Sequence, residues 1–269
     1  RWGRTGGLLG GGIPAPSTWG AVWRAFTFGH VRQLDALLAR SIERAWKAGV
    51  GPGNDRLVVD VDSFVGEVYG RLKQGASYGY THVLGLHPLL ATRADTRETL
   101  HIRLRQGSAN TQRGMKRFTE ELIARINRAG ATGVKLLRAD SGFWNTKVFE
   151  LLEKAGWEYS IGVRMIKTVQ AAVDGIADDA WQTIAYPDDG EAQIAETLYG
   201  GRRLIVRRTR LTGAKQAELW PDWRHFAFIT NRKQDLALVE AEHRDHAVVE
   251  QVISDLKDQA LAHFPSGEF

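Results

Sequence analysis

The stretch VKLLRADSGFW, residues 134–144, decides the fold of this chain. The short apolar run at its start predicts a buried strand, and this strand ends at Asp140 because Ser141 and Gly142 are residues typical of turns. A carboxylate at a strand end, followed by a turn, is where metal-dependent phosphoryl chemistry places a ligand. The stretch therefore predicts one strand of a sheet and one candidate metal-binding carboxylate.

A second acidic strand precedes this one. The run LVVDVDS, residues 57–63, presents Asp60 and Asp62 on one face of a strand, since side chains alternate with a period of two. We expect the two strands to lie side by side, so that Asp60 or Asp62 approaches Asp140. A third acidic residue, Glu250, lies on a strongly helical segment far downstream. Two Asp and one Glu distributed in this way indicate a polynucleotidyl transferase.

Composition and charge limit the class of protein. Among the 269 residues, 43% are hydrophobic and none is cysteine, which excludes disulfides and thiolate zinc sites. The apolar stretches are shorter than the roughly 20 residues of a membrane span, and residues 1–15 lack the order of a signal peptide, so we expect a cytoplasmic protein. The net charge is +5, and arginine-rich clusters at 103–105, 113–117 and 202–210 suit contacts with nucleic-acid phosphates. Both chain ends look unfinished, which suggests a fragment of a longer protein.

The order of the predicted elements is that of a mixed α/β fold, because strands and helices do not strictly alternate. Four parts follow from it: a helical segment and linker at 1–54, the first part of a core at 55–163, a β-rich insertion at 164–224, and a last strand and helix at 225–269. The periodicity predicts helices at 17–48 (broken near 29), 111–129, 145–155 and from 235 to about 263, with strands at 57–62, 80–90, 98–104, 134–139, 157–163, 193–199, 203–210 and 225–230.

The last predicted helix carries four polar residues on one stripe. At about 100° per residue, His243, His246 and Lys257 project within about 40° of Glu250. An adjoining apolar face would pack this helix on the sheet and turn the stripe toward the acidic strands. The two histidines with Glu250 also suit an alternative, the zinc site of a metallohydrolase.

Five blocks of sequence occur in a fixed order: the segments 62–70, 87–90, 104–110 and 138–143, and the final helix. Together they resemble the DDE transposases of bacterial insertion sequences, and the insertion-sequence 1380 group is the closest match. The resemblance implies a ribonuclease-H-like, retroviral-integrase-like catalytic core with a β-rich insertion before the last catalytic helix.

The resemblance also implies a reaction and its partners. Asp62, Asp140 and Glu250 would be the catalytic residues and hold two Mg²⁺ or Mn²⁺ ions, with Asp60 as the alternative to Asp62. The activity would be metal-dependent cleavage of transposon ends and strand transfer. The partners would be double-stranded DNA, as terminal inverted repeats and as target, and a second copy of the chain in a synaptic homodimer. We expect the protein to associate with the bacterial nucleoid and not with a membrane.

The family signature on the last helix is Tyr, two residues, Arg, three residues, Glu, six residues, Lys. Glu250 and Lys257 fit this spacing, whereas His243 and His246 occupy the Tyr and Arg positions. The resemblance implies that Lys257 binds a DNA phosphate. His246, when protonated, or the nearby Arg244 would take the place of the family arginine.

The insertion supplies further candidates for DNA contact. A strand or hairpin there would present at least two of four arginines on one face: Arg202, Arg203, Arg207 and Arg208. The resemblance also implies an aromatic residue that stacks on an extruded base, for which Trp181, Trp220 and Trp223 are the candidates.

Two other functions stay open at this point. The chain could be a degenerate transposase remnant that binds DNA without cleaving it. It could also be a ribonuclease-H-like nuclease without strand transfer, which would cleave DNA without a preference for terminal repeats.

Overall fold

A computed structural model of the chain describes residues 18, 25–69, 73–79, 81–186, 190–211 and 223–258. A nine-stranded mixed sheet runs through this part of the chain, and helices pack on both of its faces. The mixed α/β class predicted from the sequence is confirmed. None of the described helices is long and apolar enough to cross a membrane.

The described strands have two to ten residues. In chain order they are β1 (Leu57–Ser63), β2 (Gly66–Glu67), β3 (Ser77–Tyr78), β4 (Leu84–Leu86), β5 (Leu89–Arg93), β6 (Thr99–Arg103), β7 (Lys135–Ala139), β8 (Glu158–Gly162), β9 (Gln182–Ile184), β10 (Gly190–Tyr199), β11 (Arg202–Leu211) and β12 (Arg224–Thr230).

The helices lie before, between and after these strands. The α-helices are α1 (Phe28–Ala45), α2 (Met115–Ala129), α3 (Thr146–Lys154), α4 (Lys167–Asp174), α5 (Leu236–Arg244) and α6 (Val248–Asp258). Shorter helical turns are a π-helical turn at Trp46–Val50 and 3₁₀ turns at Ser141–Phe143, Asp178–Ala180 and Asp245–Ala247.

The sheet order is β6-β5-β1-β7-β8-β12-β11-β10-β9. Strand β1 pairs antiparallel with β5 and parallel with β7, and β7 pairs parallel with β8. Three antiparallel strands followed by two parallel ones are consistent with the expected ribonuclease-H-like core. The strands within residues 164–224 extend this same sheet, because β11 pairs with β12, which in turn pairs with β8.

Helix α2 shows how the sequence pattern produces the core. Its residues Met115, Phe118, Leu122 and Ile126 recur at helical spacing, and all four are fully buried against the sheet. The helix ends at Gly130, whose φ of +93° is the left-handed conformation that glycine adopts without strain. Both features agree with the prediction from the sequence.

Two predicted elements are wrong in their extent. The single strand expected at 80–90 is divided into β4 and β5, which belong to different sheets and are separated by residues 87–88. The division coincides with Pro88, which has no backbone N–H to contribute to a ladder.

The helix expected from 235 onward is also divided, into α5 and α6, by the 3₁₀ turn Asp245–Ala247. The guanidinium group of Arg138 donates to the carbonyl of Glu242, which in a continuous helix would accept the N–H four residues later. It also donates to the carbonyl of Asp245. The single polar stripe predicted for this segment is therefore interrupted, and residues beyond 258 lie outside the described part.

Candidate active site

Asp62 and Asp140 lie at the ends of adjacent parallel strands, as the sequence predicted. The register pairs Val61 of β1 with Ala139 of β7, so the next residue in each strand direction is one of these two aspartates. A tight turn follows Asp140, whose Oδ1 accepts the N–H of Gly142 at 2.9 Å. Asp62 Oδ1 accepts the N–H of Ser63 at 2.6 Å. Both carboxylates are thus held by local backbone donors.

Helix α6 brings Glu250 to the same edge of the sheet. The helix packs on β1 and β5 through a small buried cluster: Val249, Val252 and Ile253 with Phe64 and Leu90. Glu250 is exposed and lines, with Asp62, Ser63 and Lys257, a surface cavity of about 300 Å³. The structure therefore brings the three predicted catalytic carboxylates to one region.

The charged forms of the two aspartates are disfavoured in the folded protein. Burial raises the pKa of Asp62 to about 6, and repulsion by the negative charges of Asp140 and Glu250 contributes to the increase. Desolvation also raises the pKa of Asp140, against the opposing effects of a backbone N–H, His246 and Arg164. Half-buried Asp62 and the exposed Asp140 and Glu250 thus form a region of negative potential.

The residues fit a hard divalent cation by their donor chemistry. Carboxylate oxygens are the ligands that Mg²⁺ and Mn²⁺ prefer, and a bound cation would relieve the repulsion that raises the pKa of Asp62. Within the described ranges, no three His, Cys, Asp or Glu side chains already stand close enough together to hold a metal ion. Glu250, which is exposed, would have to reorient its side chain to join the other two.

Asp60 has a different environment from Asp62, although both lie on one face of β1. Its side chain is 1% exposed, and its two carboxylate oxygens accept from Arg138 at 2.7 and 2.8 Å. The ring nitrogen Nδ1 of His246 lies 2.9 Å from Asp60 Oδ1. Burial acts to raise the pKa of Asp60, but the bonds from His246 and Arg138 outweigh it and hold the pKa below its usual value. These contacts favour Asp62 over Asp60 as the first metal ligand.

The alternative zinc site is not assembled. His243 lies against Phe228 with ring centroids 4.0 Å apart, and its Nδ1 is 2.8 Å from the hydroxyl of Ser160. Burial lowers the pKa of His243 to about 3, which favours a neutral ring, and the half-buried side chain is held between Phe228 and Ser160. His246 is instead directed to Asp60. The two histidines and Glu250 therefore do not form one ligand set.

The sequence marked His87 only as part of a block, and the structure gives it a position beside the site. Its Nδ1 lies 2.7 Å from the carbonyl of Ala109, which can only accept, so Nδ1 carries the proton. Nε2 then accepts the hydroxyl of Ser63 at 2.9 Å. Burial lowers the pKa of His87, which keeps this neutral form. The histidine thus holds Ser63, the residue whose N–H binds Asp62.

Arg164 is a second residue that the sequence analysis missed. It is exposed just after β8, the strand beside β7, and its charge lowers the pKa of Asp140. The two strand ends approach closely at Gly162, where a Cβ atom would come within 2.7 Å of the Ser141 nitrogen. Arg164 comes near Asp140 because the ends of β7 and β8 approach each other in the fold. The sequence carries no signal for this approach.

The predicted DNA contacts on the last helices have separate locations. Lys257 is exposed at the rim of the cavity, with Nζ 4.9 Å from the ring centroid of Phe64. Arg244 pairs with Glu240 at 3.0 Å and does not line the cavity that Asp62 and Glu250 share. Of the candidates on these helices, Lys257 is the one that lines the cavity.

The four arginines predicted to contact DNA lie two on each face of β11, and each has partners within the protein. Arg202 pairs with Glu153 and Arg203 with Glu196, whereas Arg207 pairs with Glu240. The guanidinium group of Arg208 lies 3.9 Å from the ring centroid of Trp181 and 4.6 Å from that of Trp223. Trp220, the third candidate for base stacking, lies outside the described residues.

Comparisons with known proteins identify a family and similar solved structures. A family model described as "Transposase DDE domain group 1" matches residues 17–266. A chain from the cryo-EM structure of the piggyBac transposase synaptic complex with hairpin DNA is similar at 12% identity and a TM-score of 0.49. The match covers 74% of this chain and 40% of that chain. No curated protein matches the sequence.

Proposed function

Because the chain belongs to the transposase DDE domain family, group 1, we propose that it catalyses metal-dependent cleavage of DNA at transposon ends and their transfer to target DNA. One observation carries this proposal: Asp62 and Asp140 end adjacent parallel strands, and Glu250 lines the cavity beside Asp62. The experiment that tests it is Mg²⁺-dependent cleavage of a DNA that carries the terminal inverted repeats of the parent element.

In this proposal the carboxylates are the ligands of the metal. Asp62, Asp140 and Glu250 hold two Mg²⁺ or Mn²⁺ ions, while Asp60 keeps its ion pair. When bound, the metal supplies an activated oxygen nucleophile and positive charge at the leaving oxygen of an in-line displacement. The backbone N–H groups of Ser63 and Gly142 orient the two aspartates.

Two cations near the carboxylates are candidates for contact with the DNA backbone. Lys257 lines the cavity together with Glu250 and Asp62, and the charge of Arg164 lowers the pKa of Asp140. Each can bind a phosphate oxygen while the scissile phosphate faces the metal ligands. We therefore propose Lys257 and Arg164 as the phosphate-binding residues nearest the reaction, ahead of His246 and Arg244.

Replacing Arg164 with Gln is expected to reduce the rate of DNA cleavage about 10-fold or more, because one charge-assisted hydrogen bond to the substrate is lost. The thermal stability should change little, since the side chain is exposed. Single-turnover cleavage measures the effect. Arg128→Gln, an exposed arginine on α2, is the matched control. Equal rates for both variants would remove Arg164 from the site.

The arginines of β11 are proposed to contact the DNA backbone farther from the reaction, and their two faces can be tested separately. The double variants are Arg202→Gln with Arg208→Gln, and Arg203→Gln with Arg207→Gln. Loss of a phosphate contact should flatten the slope of log K against log salt by about 0.9 for each contact. We expect one double variant to flatten the slope and the other to leave it unchanged. Unchanged slopes in both would place the DNA elsewhere, and Arg113, Lys116 and Arg117 would be the next candidates.

The finer assignments belong to the same proposal. The order of the blocks from residue 62 to the final helix supports the bacterial insertion-sequence 1380 group, a synaptic homodimer, and a nucleoid-associated protein in the cytoplasm. Residues 55–163 and 225–269 would form the catalytic core around the insertion at 164–224. A helical segment at 1–54 would precede it.

A remnant that binds but does not cleave DNA is the second candidate, because His246 stands in the family's Arg position and binds Asp60. A strand-transfer assay separates the three functions. The transposase yields cleaved ends and joined products, the nuclease yields cleavage without preference for terminal repeats, and the remnant yields neither.

A further inference from the structure

We propose that Asp60, Arg138 and His246 form a clasp that positions the helix carrying Glu250. The inference rests on the proposed function in one respect, namely that Glu250 takes part in the reaction. The clasp itself is a feature of the fold. It joins strands β1 and β7 to the turn between α5 and α6, and none of its three residues is needed as a metal ligand.

Arg138 is the centre of the clasp. It lies on β7, two residues before Asp140, and its side chain is 5% exposed. Nε and Nη2 bind the two oxygens of Asp60 on the neighbouring strand, which fixes the plane of the guanidinium group. Nη1 and Nη2 then donate to the carbonyls of Glu242 and Asp245. One side chain thus connects both acidic strands to the end of α5 and to the 3₁₀ turn.

His246 closes the clasp from the other side. It belongs to the 3₁₀ turn itself, and its Nδ1 lies 2.9 Å from Asp60 Oδ1, the oxygen that also accepts from Arg138 Nε. Because a carboxylate only accepts, the histidine donates. The end of α5 is therefore attached to β1 and β7 by the carbonyl of Glu242, and the turn by the carbonyl of Asp245 and the side chain of His246.

The consequence for the site is the position of Glu250, four residues after His246. Beyond the turn, the described apolar residues of α6 pack in one small cluster around Phe64 and Leu90. Apolar contacts of this kind do not determine the rotation and translation of a helix as narrowly as directional hydrogen bonds do. The clasp supplies the directional bonds at the beginning of α6, so it sets where Glu250 stands relative to Asp62.

Positioning accounts for a buried ion pair better than stability does. A buried pair contributes little net stability, because the cost of removing two charges from water offsets their attraction. What the pair provides is a fixed geometry of the strands and the turn that it joins. The clasp explains why Asp60 is an aspartate although it lies on the same face of β1 as the metal ligand.

His246 is the residue through which the clasp can be tested, since Arg138→Leu would leave the buried charge of Asp60 without its main partner. His246→Leu removes the donor to Asp60. His246→Asn keeps a donor nitrogen near the position of Nδ1, so it should restore the contact. The chain contains no cysteine, so Ser254→Cys on α6 and Glu120→Cys on α2 can carry a pair of spin labels without other changes.

We expect a narrow distance distribution between the labels in the parent and in His246→Asn, and a broader one in His246→Leu, measured well below the melting temperature. In unlabelled protein, kcat for DNA cleavage should fall about 10- to 100-fold in His246→Leu and recover in His246→Asn. The DNA Kd should stay within about twofold in both, because the clasp contacts no substrate.

An unchanged distance distribution in His246→Leu would overturn the clasp, and so would weakened DNA binding without broadening, since that result would make His246 a phosphate contact. The distance measurement does not depend on catalysis. Broadening in His246→Leu, reversed in His246→Asn, would support the clasp even if the protein cleaved no DNA, in which case the proposed function alone would be rejected.

Discussion

Replacing Asp140 with Asn is expected to abolish detectable DNA cleavage, with a loss well beyond the 10- to 100-fold that removal of an outer-shell partner of a metal ligand costs. Asp140 directly follows β7 beside Asp62, and a bound cation would offset the desolvation that raises its pKa. Asn keeps an oxygen that can accept the N–H of Gly142, so the turn should stay intact. The measurement is single-turnover cleavage of terminal-repeat DNA with Mg²⁺.

Asp178→Asn is the matched control for this variant. Asp178 is an exposed residue of a 3₁₀ turn in the insertion, and its substitution should leave the cleavage rate unchanged. Circular dichroism should show the same fold for both variants. Wild-type activity of Asp140→Asn would reject the catalytic assignment and the transposase reaction with it.

Replacing Asp62 with Asn is expected to stabilise the metal-free protein by about 1–2 kcal/mol at pH 8, or roughly 2–8 °C in Tm. The folded protein disfavours the negative charge of Asp62, because burial and repulsion by Asp140 and Glu250 raise its pKa to about 6. Asn removes that charge. Added Mg²⁺ should raise the Tm of the wild type, because it binds the folded state, and should have little effect on the variant.

The pH dependence of this stabilisation follows from the direction of the shift. Between its ordinary value of 3.8 and about 6, the folded protein holds a proton on Asp62 that the unfolded chain has released. The wild type therefore loses stability as the pH rises through this window. The advantage of Asp62→Asn should be complete above about pH 6 and absent near pH 4.

Asp60→Asn is the contrasting variant on the same face of the same strand. It breaks a buried ion pair with Arg138, so it should destabilise the protein by about 3–5 kcal/mol. Destabilisation by Asp60→Asn and stabilisation by Asp62→Asn would distinguish the structural aspartate from the functional one. Destabilisation by both substitutions would mean that Asp62 is also a structural residue.

The elements that agreed best with the sequence are those that local periodicity determines, although helix α2 begins at Met115 and not at 111. Strand β1 and helix α2 each bury side chains at the spacing of their own secondary structure, and Gly130 ends α2 by its own conformation. The pairing of β1 with β7 was also foreseen, since both runs are apolar and end in an aspartate. The division of the last helix was not, because it depends on Arg138, a residue 104 positions before the carbonyl it binds.

The sequence predicted the carboxylates of the candidate site, but not the contacts of the residues around them. Period-two alternation places Asp60 and Asp62 on one face and cannot choose between them; the resemblance favoured Asp62, and the ion pair of Asp60 with Arg138 on the next strand supports that choice. Arg164 and His87 lie close to the carboxylates only through tertiary approach of β8 and of the segment after β4. The sequence marked His87 only as part of the block 87–90, without its contact to Ser63, and gave no signal for Arg164.

The central claim is that Asp62, Asp140 and Glu250 together form one divalent-metal site. Anomalous X-ray scattering from crystals of the protein grown with Mn²⁺ and terminal-repeat DNA tests it most directly, because Mn²⁺ has the ligand preferences of Mg²⁺ and can be located by its own signal. We expect anomalous peaks bonded to carboxylate oxygens of Asp62 and Asp140, with the side chain of Glu250 reoriented to bind the same ions. Peaks bound only elsewhere, or Mn²⁺ held by Asp60 in place of Asp62, would contradict it.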